Sequence, residues 1–123
     1  MKRLMTAAFL AALGTGAQAE DVTLQLKWVT QAQFAGYYVA QAKGFYEEEG
    51  LNVTILPGGP DIAPTQVIAG GGADVIVEWM PAALAAREKG LPLVNIAQPF
   101  AKSGMMLTCR KETGITKPED FIF

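Results

Sequence analysis

Apolar and polar side chains alternate from Asp21 to Lys27 (Asp-Val-Thr-Leu-Gln-Leu-Lys). That is the period of a strand with one face buried. A polar connection, Trp28 to Gln33, leads into an aromatic, alanine-rich stretch from Phe34 to Lys43 whose Tyr37, Ala40 and Gln41 repeat at helical spacing. Gly44 stops or breaks that helix, and Phe45 to Gly50 reads as one further short turn. Leu51 to Leu56 alternates again and is a second strand. Pro57-Gly58-Gly59-Pro60 can continue neither element and is a loop. Asp61 is placed to cap a helix over Ile62 to Ala69, with Pro64 tolerated in its first turn. Ala73 to Val77 carries few polar residues, which predicts a third strand in a central position. Pro81 to Gly90 combines an early proline, alanines, late basic residues and a terminal glycine, the marks of a helix. Leu91 to Ala97 and Met105 to Arg110 read as a fourth and a fifth strand, and Thr116 to Phe121 as the start of a helix.

Strands alternating with helices at this pitch predict an α/β fold, a mostly parallel sheet with helices on both faces joined by right-handed connections. In such sheets ligands sit beyond the carboxyl ends of the strands, near the point where strand order switches. The segments just past the strands, Trp28 to Phe34, Pro57 to Asp61, Glu78 to Met80 and Gln98 to Ser103, are therefore the expected site.

The amino terminus changes the compartment. Lys2 and Arg3, an apolar run from Leu4 to about Leu13, and Ala17-Gln18-Ala19 stand in the order of a secretory signal peptide cut before Glu20. The apolar run is too short for the ~20 residues of a spanning helix. Residues 1–19 are thus expected to be a leader and 20–123 a single lobe working in the periplasm. Losing Lys2 and Arg3 with the leader moves the net charge from −2 to −4, a sign with no attraction for nucleic acid or an anionic membrane. The chain has one cysteine, Cys109, and no histidine. That excludes an internal disulfide, His/Cys zinc sites and histidine-based triads.

Trp28 and Trp79, on one edge of the sheet, suit stacking on a flat ligand, although a tryptophan there can equally seal the rim of the core. Glu78 can accept from a ring or amino N–H, or simply be a solvated strand-end carboxylate. Gln33 offers both donor and acceptor, and Phe34 and Tyr37 open the first helix on the same side. Of Tyr37 and Tyr38, one is expected in the core and one, Tyr37, at the cleft. Gly59, in the Pro57–Asp61 loop, allows close backbone approach. The loop lacks the lysine and spacing of a phosphate-binding P-loop.

The stretch Trp28…Phe34-Ala35-Gly36-Tyr37-Tyr38-Val39-Ala40…Lys43-Gly44-Phe45-Tyr46…Gly50-Leu51-Asn52-Val53 resembles the opening of the NMT1/THI5-like periplasmic binding proteins. Ile68-Ala69-Gly70-Gly71-Gly72-Ala73-Asp74-Val75 and Ala82 to Gly90 followed by Pro92-Leu93-Val94 resemble two further units of that family. The resemblance implies a lobe of the type II periplasmic-binding-protein kind. It implies a monomeric solute-binding component of an ABC importer, without a cofactor of its own, that hands a small molecule to permease subunits in the inner membrane. Its Trp-x-x-x-x-Gln-Phe-Ala-Gly-Tyr-Tyr form is similar to the branch for thiamine pyrimidine precursors and other flat heterocycles. Other branches take riboflavin-like compounds, nitrate or sulfonates. Family members run to about twice this length or more, so a second lobe is expected beyond Phe123, and the first lobe alone is expected to bind weakly or not at all.

The same superfamily contains fungal enzymes that make the thiamine pyrimidine. Those carry a histidine where this chain has Phe34, a lysine near where it has Glu78, and a cysteine-rich tail. The enzyme reading therefore expects a cleft lysine or histidine that this sequence withholds, and the resemblance favours a non-enzyme. A sensor domain, the third reading, would need a DNA-binding or membrane-spanning segment, and neither is visible here.

Overall fold

The computed structural model describes residues 18–104 and 106–121, so nearly all of the expected leader lies outside the described residues. The chain forms two compact units, one up to Leu93 and one over Val94–Phe123.

The first unit is a parallel sheet. Strand β1 spans Glu20–Gln25, β2 Leu51–Leu56 and β3 Val75–Ile76, in the order β2-β1-β3. β1 pairs with β2 along its whole length, Glu20 opposite Leu51 through Gln25 opposite Leu56, and with β3 through Leu24–Val75 and Gln25–Ile76. The chain therefore leaves β1 to one side, returns over it, and joins the sheet on the other side. β1 is the switch point. Right-handed crossovers place the two connections on opposite faces of the sheet.

The first connection carries helices α1, Ala35–Ala42, and α2, Phe45–Glu48. Gly44 between them sits at φ 75°, a left-handed conformation that glycine adopts without a Cβ penalty. Gln41 turns its Nε2 to the carbonyl of Val53, 2.9 Å away, and so ties α1 to β2. The second connection carries α3, Pro64–Ala69, and α4, Met80–Glu88, follows β3. Pro64 and Pro81 lie in the first turns of these helices, where no backbone donor is lost. Leu24, Leu26, Phe34 and Val53 form the buried core, with Val22, Tyr37, Tyr38, Tyr46, Ile55 and Val75 packed around it.

Several expectations change. β1, not β3, is central among the described strands, so its last turns are covered on both faces and Leu24, Gln25 and Leu26 are buried in succession. The simple alternation of Asp21–Lys27 fails for that reason. β3 is an edge here because Leu91–Ala97 joins no ladder among the described residues, and its Val94 and Ile96 are 80 % and 75 % exposed. An alternating segment becomes a strand only where a neighbour pairs its backbone. Met106–Arg110 likewise forms no strand, while Met105 lies outside the described residues. Asp61 caps nothing; the residue before α3 is Ala63, without a side-chain cap bond.

The second unit holds two 3-10 turns, Lys111–Thr113 and Pro118–Phe121. The expected helix at Thr116–Phe121 is thus a single tight turn. Asp120 Oδ2 accepts from the backbone N–H of Thr116 at 2.8 Å, its hydroxyl at 3.1 Å and the N–H of Lys117 at 3.1 Å. The Thr116 N–H, first among these donors, holds the Asp120 carboxyl below its usual range.

Candidate functional site at the carboxyl edge of the sheet

The exits of β1 and β2 are locked together by side chain and backbone. Leu26 N–H donates to the Leu56 carbonyl at 2.9 Å, and Val77 N–H to the Gln25 carbonyl at 2.9 Å, so pairing extends one step past each strand. Gln25 is a polar side chain only 4 % exposed. Its Nε2 donates to the carbonyls of Leu26 at 2.9 Å and Pro57 at 3.0 Å, groups at strand ends that the ladder leaves without donors. Gly58 N–H donates to the Trp28 carbonyl at 3.0 Å. A Cβ on Gly58 would lie 2.5 Å from the Lys27 carbonyl carbon and the Trp28 nitrogen, so the loop passes too close to β1's exit for any side chain. The adjacent Gly59 is buried, but a Cβ there would meet only Ile62 Cγ1 at 3.9 Å, an ordinary contact.

Between β1 and β3 the partners stand 51 positions apart. Thr23 N–H donates to Asp74 Oδ2 at 2.8 Å, Leu24 and Gln25 pair with Val75 and Ile76, and Lys27 meets Glu78. The Lys27 Nζ lies 2.9 Å from Glu78 Oε1 and 3.1 Å from Oε2. Oε1 also accepts the Trp79 N–H at 2.7 Å. The Glu78 side chain is 4 % exposed and that of Lys27 27 %. One place further along each segment stand Trp28 and Trp79, 41 % and 55 % exposed. Two large rings left open to water beside a partly covered ion pair form a surface that could stack and hydrogen-bond a planar molecule.

The remaining expected residues divide. Phe34 is 4 % exposed and belongs to the core, its ring 6.5 Å from that of Tyr37. Both Tyr37 and Tyr38 pack on the core, so the expected division between a core and a cleft tyrosine does not hold. Burial pushes the Tyr37 hydroxyl above its ordinary value. Tyr38 is the one whose hydroxyl reaches the loop after β1, 3.1 Å from Thr30 Oγ1. Gln33 is exposed and donates to Gln31 Oε1 at 2.9 Å. Sequence reading missed Lys27 and Gln25. Lys27 had a visible signal, since it directly precedes Trp28; Gln25 and its carbonyl partners had none.

Among the described residues, no group of acidic, cysteine or histidine side chains is arranged to hold a metal ion, and no helix is long and apolar enough to cross a membrane. A hollow of about 200 Å³ in the second unit is lined by Cys109 and Lys117 among others and contains none of the expected site residues.

Comparison with known proteins bears on the family. The family model described as NMT1/THI5 like matches residues 31–122. The chain is 32 % identical over 99 residues to the formylaminopyrimidine-binding protein of Halalkalibacterium halodurans, covering 76 % of this chain and 30 % of that one. It is 30 % identical over 102 residues to the 4-amino-5-hydroxymethyl-2-methylpyrimidine phosphate synthase of Aspergillus parasiticus, covering 83 % and 29 %. The synthase of that name from Legionella pneumophila is 32 % identical over 101 residues, covering 82 % and 32 %. The chain thus spans less than a third of the length of these curated relatives. No solved structure matches. A type II periplasmic-binding-protein-like fold characterises the family, and the three-stranded parallel sheet flanked by helices conforms to it. With the match running over most of its length, the chain belongs to the NMT1/THI5-like family.

Proposed function

We propose that the chain is the first-lobe portion of an exported solute-binding component of an ABC importer, and that it takes a small flat heterocycle such as a thiamine pyrimidine precursor. The observation that carries this reading is the pair of exposed tryptophans, Trp28 and Trp79, each one position past a member of the Lys27–Glu78 ion pair at the carboxyl edge. Rings stack on such surfaces and ring nitrogens bond to such heads. Nitrate or a sulfonate would gain little from two indoles. The relative named as a formylaminopyrimidine-binding protein supports the ligand class, and the order of charged, apolar and small residues in 1–19 supports export.

The synthase reading draws on relatives that bear the synthase name and on a lysine at the edge, which sequence reading had not placed there. The residues present fit it poorly. A Schiff-base lysine acts as a free amine, whereas Lys27 is held by both oxygens of Glu78, and the chain contains no histidine.

The test is a titration of the full chain with 4-amino-5-hydroxymethyl-2-methylpyrimidine, followed by the indole N–H signals of its two tryptophans. Weak, saturable shifts of both signals without turnover support the binding reading. Absence of any shift at several millimolar sinks it, and a visible pyridoxal absorbance band in the purified protein transfers the case to the synthase. Cell fractionation tests export: recovery in the cytoplasm with residues 1–19 retained counts against that part of the proposal.

A further inference from the structure

The geometry points to Lys27, not Glu78, as the group that reads the ligand, with Glu78 acting as its positioning residue and making the site selective for uncharged, acceptor-bearing rings. This deepens the binding reading above and rests on it. Glu78 is nearly buried, and its oxygens are already engaged: Oε1 by Lys27 at 2.9 Å and by Trp79 N–H at 2.7 Å, Oε2 by Lys27 at 3.1 Å. Little of that carboxylate remains to face a ligand. The Lys27 side chain is partly exposed and its ammonium has three donors, so a donor remains for an acceptor held at this edge. Ring nitrogens, carbonyls and hydroxyls are such acceptors.

The pair also fixes the charge of the site. Lys27 and Glu78 cancel within 3 Å, so a phosphate approaching Lys27 meets the carboxylate immediately behind it. A phosphorylated ring therefore gains no advantage over its uncharged parent. By holding the Lys27 head through two oxygens and being held in turn by the Trp79 backbone, Glu78 sets the position of the donor relative to the ring platform.

The test uses the full chain, the two indole signals, and three probes: 4-amino-5-hydroxymethyl-2-methylpyrimidine, its phosphate ester, and toluene as a ring without an acceptor. Wild type should bind the uncharged pyrimidine at least as well as its phosphate. Lys27→Met should weaken the pyrimidine by roughly threefold to tenfold, the range of a partly exposed charged hydrogen bond, and leave toluene unchanged. Glu78→Gln keeps the shape but releases the charge of Lys27. It should reverse the preference, tightening the phosphate ester roughly threefold to tenfold. A purely structural role for Glu78 would weaken all three probes together and would overturn the inference. Pyrimidine binding unaffected in Lys27→Met would overturn it too, while leaving the binding reading intact. Failure of every probe to move the wild-type indole signals removes the binding reading itself, and this inference with it. Backbone amide spectra establish that each variant is folded, and Glu78→Gln decides the matter where Lys27→Met is not.

Discussion

Gly58 donates its backbone N–H to the Trp28 carbonyl across 3.0 Å, and the approach is so close that position 58 admits no Cβ. The atoms in the way are the backbone of Leu26, Lys27 and Trp28, which cannot rotate aside as a flexible side chain can. Gly58→Ala should therefore destabilise the first unit by about 2 kcal/mol or more, a fall in Tm on the order of 10 °C for a domain this small. Gly59→Ala, with only an ordinary contact to meet, should lie close to wild type. Thermal unfolding by circular dichroism compares the two, and equal effects would refute the account of the loop.

Gln25→Leu keeps the volume and removes the donor. The carbonyls of Leu26 and Pro57 would lose their Nε2 partner in a buried place, at about 1–3 kcal/mol. Gln25→Glu should be worse, because a carboxylate would face carbonyl oxygens. Urea midpoints rank the three proteins, and a Leu variant as stable as wild type would show that Gln25 merely fills space.

Trp79→Ala should leave stability within about 0.5 kcal/mol, since the ring is more than half exposed, while abolishing the ligand-induced change in the Trp28 indole signal. Loss of stability without loss of binding would return the ring to the rim of the core. Trp28→Ala should show the same separation more weakly, its ring being the more covered of the two.

Two tyrosines give the fold an alkaline limit. Burial raises the Tyr37 hydroxyl; burial, and then the negative charge that Tyr37 acquires, raises Tyr46. A folded-state value above the unfolded one of 10.0 means that the folded form prefers the neutral phenol. Stability from these groups is complete below pH 10 and is lost as pH rises through the folded values. The urea midpoint should hold steady to about pH 10 and fall beyond it, with a smaller fall in Tyr37→Phe. A midpoint that rises with pH in this range would contradict the sign.

What could be read from the sequence was local. Gly44, Gly58-Gly59, Pro64 and Pro81 mark their turns and helix starts, and the residues of β1 and β2 alternate as strands must. What escaped depends on neighbours far along the chain. Leu91–Ala97 reads as a strand, but no segment pairs with it among the described residues. Gln25 reads as a solvent-facing position until β1 is found in the middle of the sheet. Glu78 reads as a free carboxylate because nothing near it in sequence points to Lys27. The alternation of strands and helices points to the segments carrying Trp28 and Trp79; the ion pair between Lys27 and Glu78 is visible only in the fold.

The constant spacing of 51 between β1 and β3 has a consequence for how the chain tolerates length changes. Residues inserted in the exposed loop after Trp28 can bulge into solvent without disturbing the pairs. One residue deleted within Val75–Val77 cannot. It would turn Glu78 to the opposite face of the sheet and leave Lys27 facing whatever followed. A one-residue deletion in this segment thus breaks the match between the two strands, whereas a substitution leaves it in place.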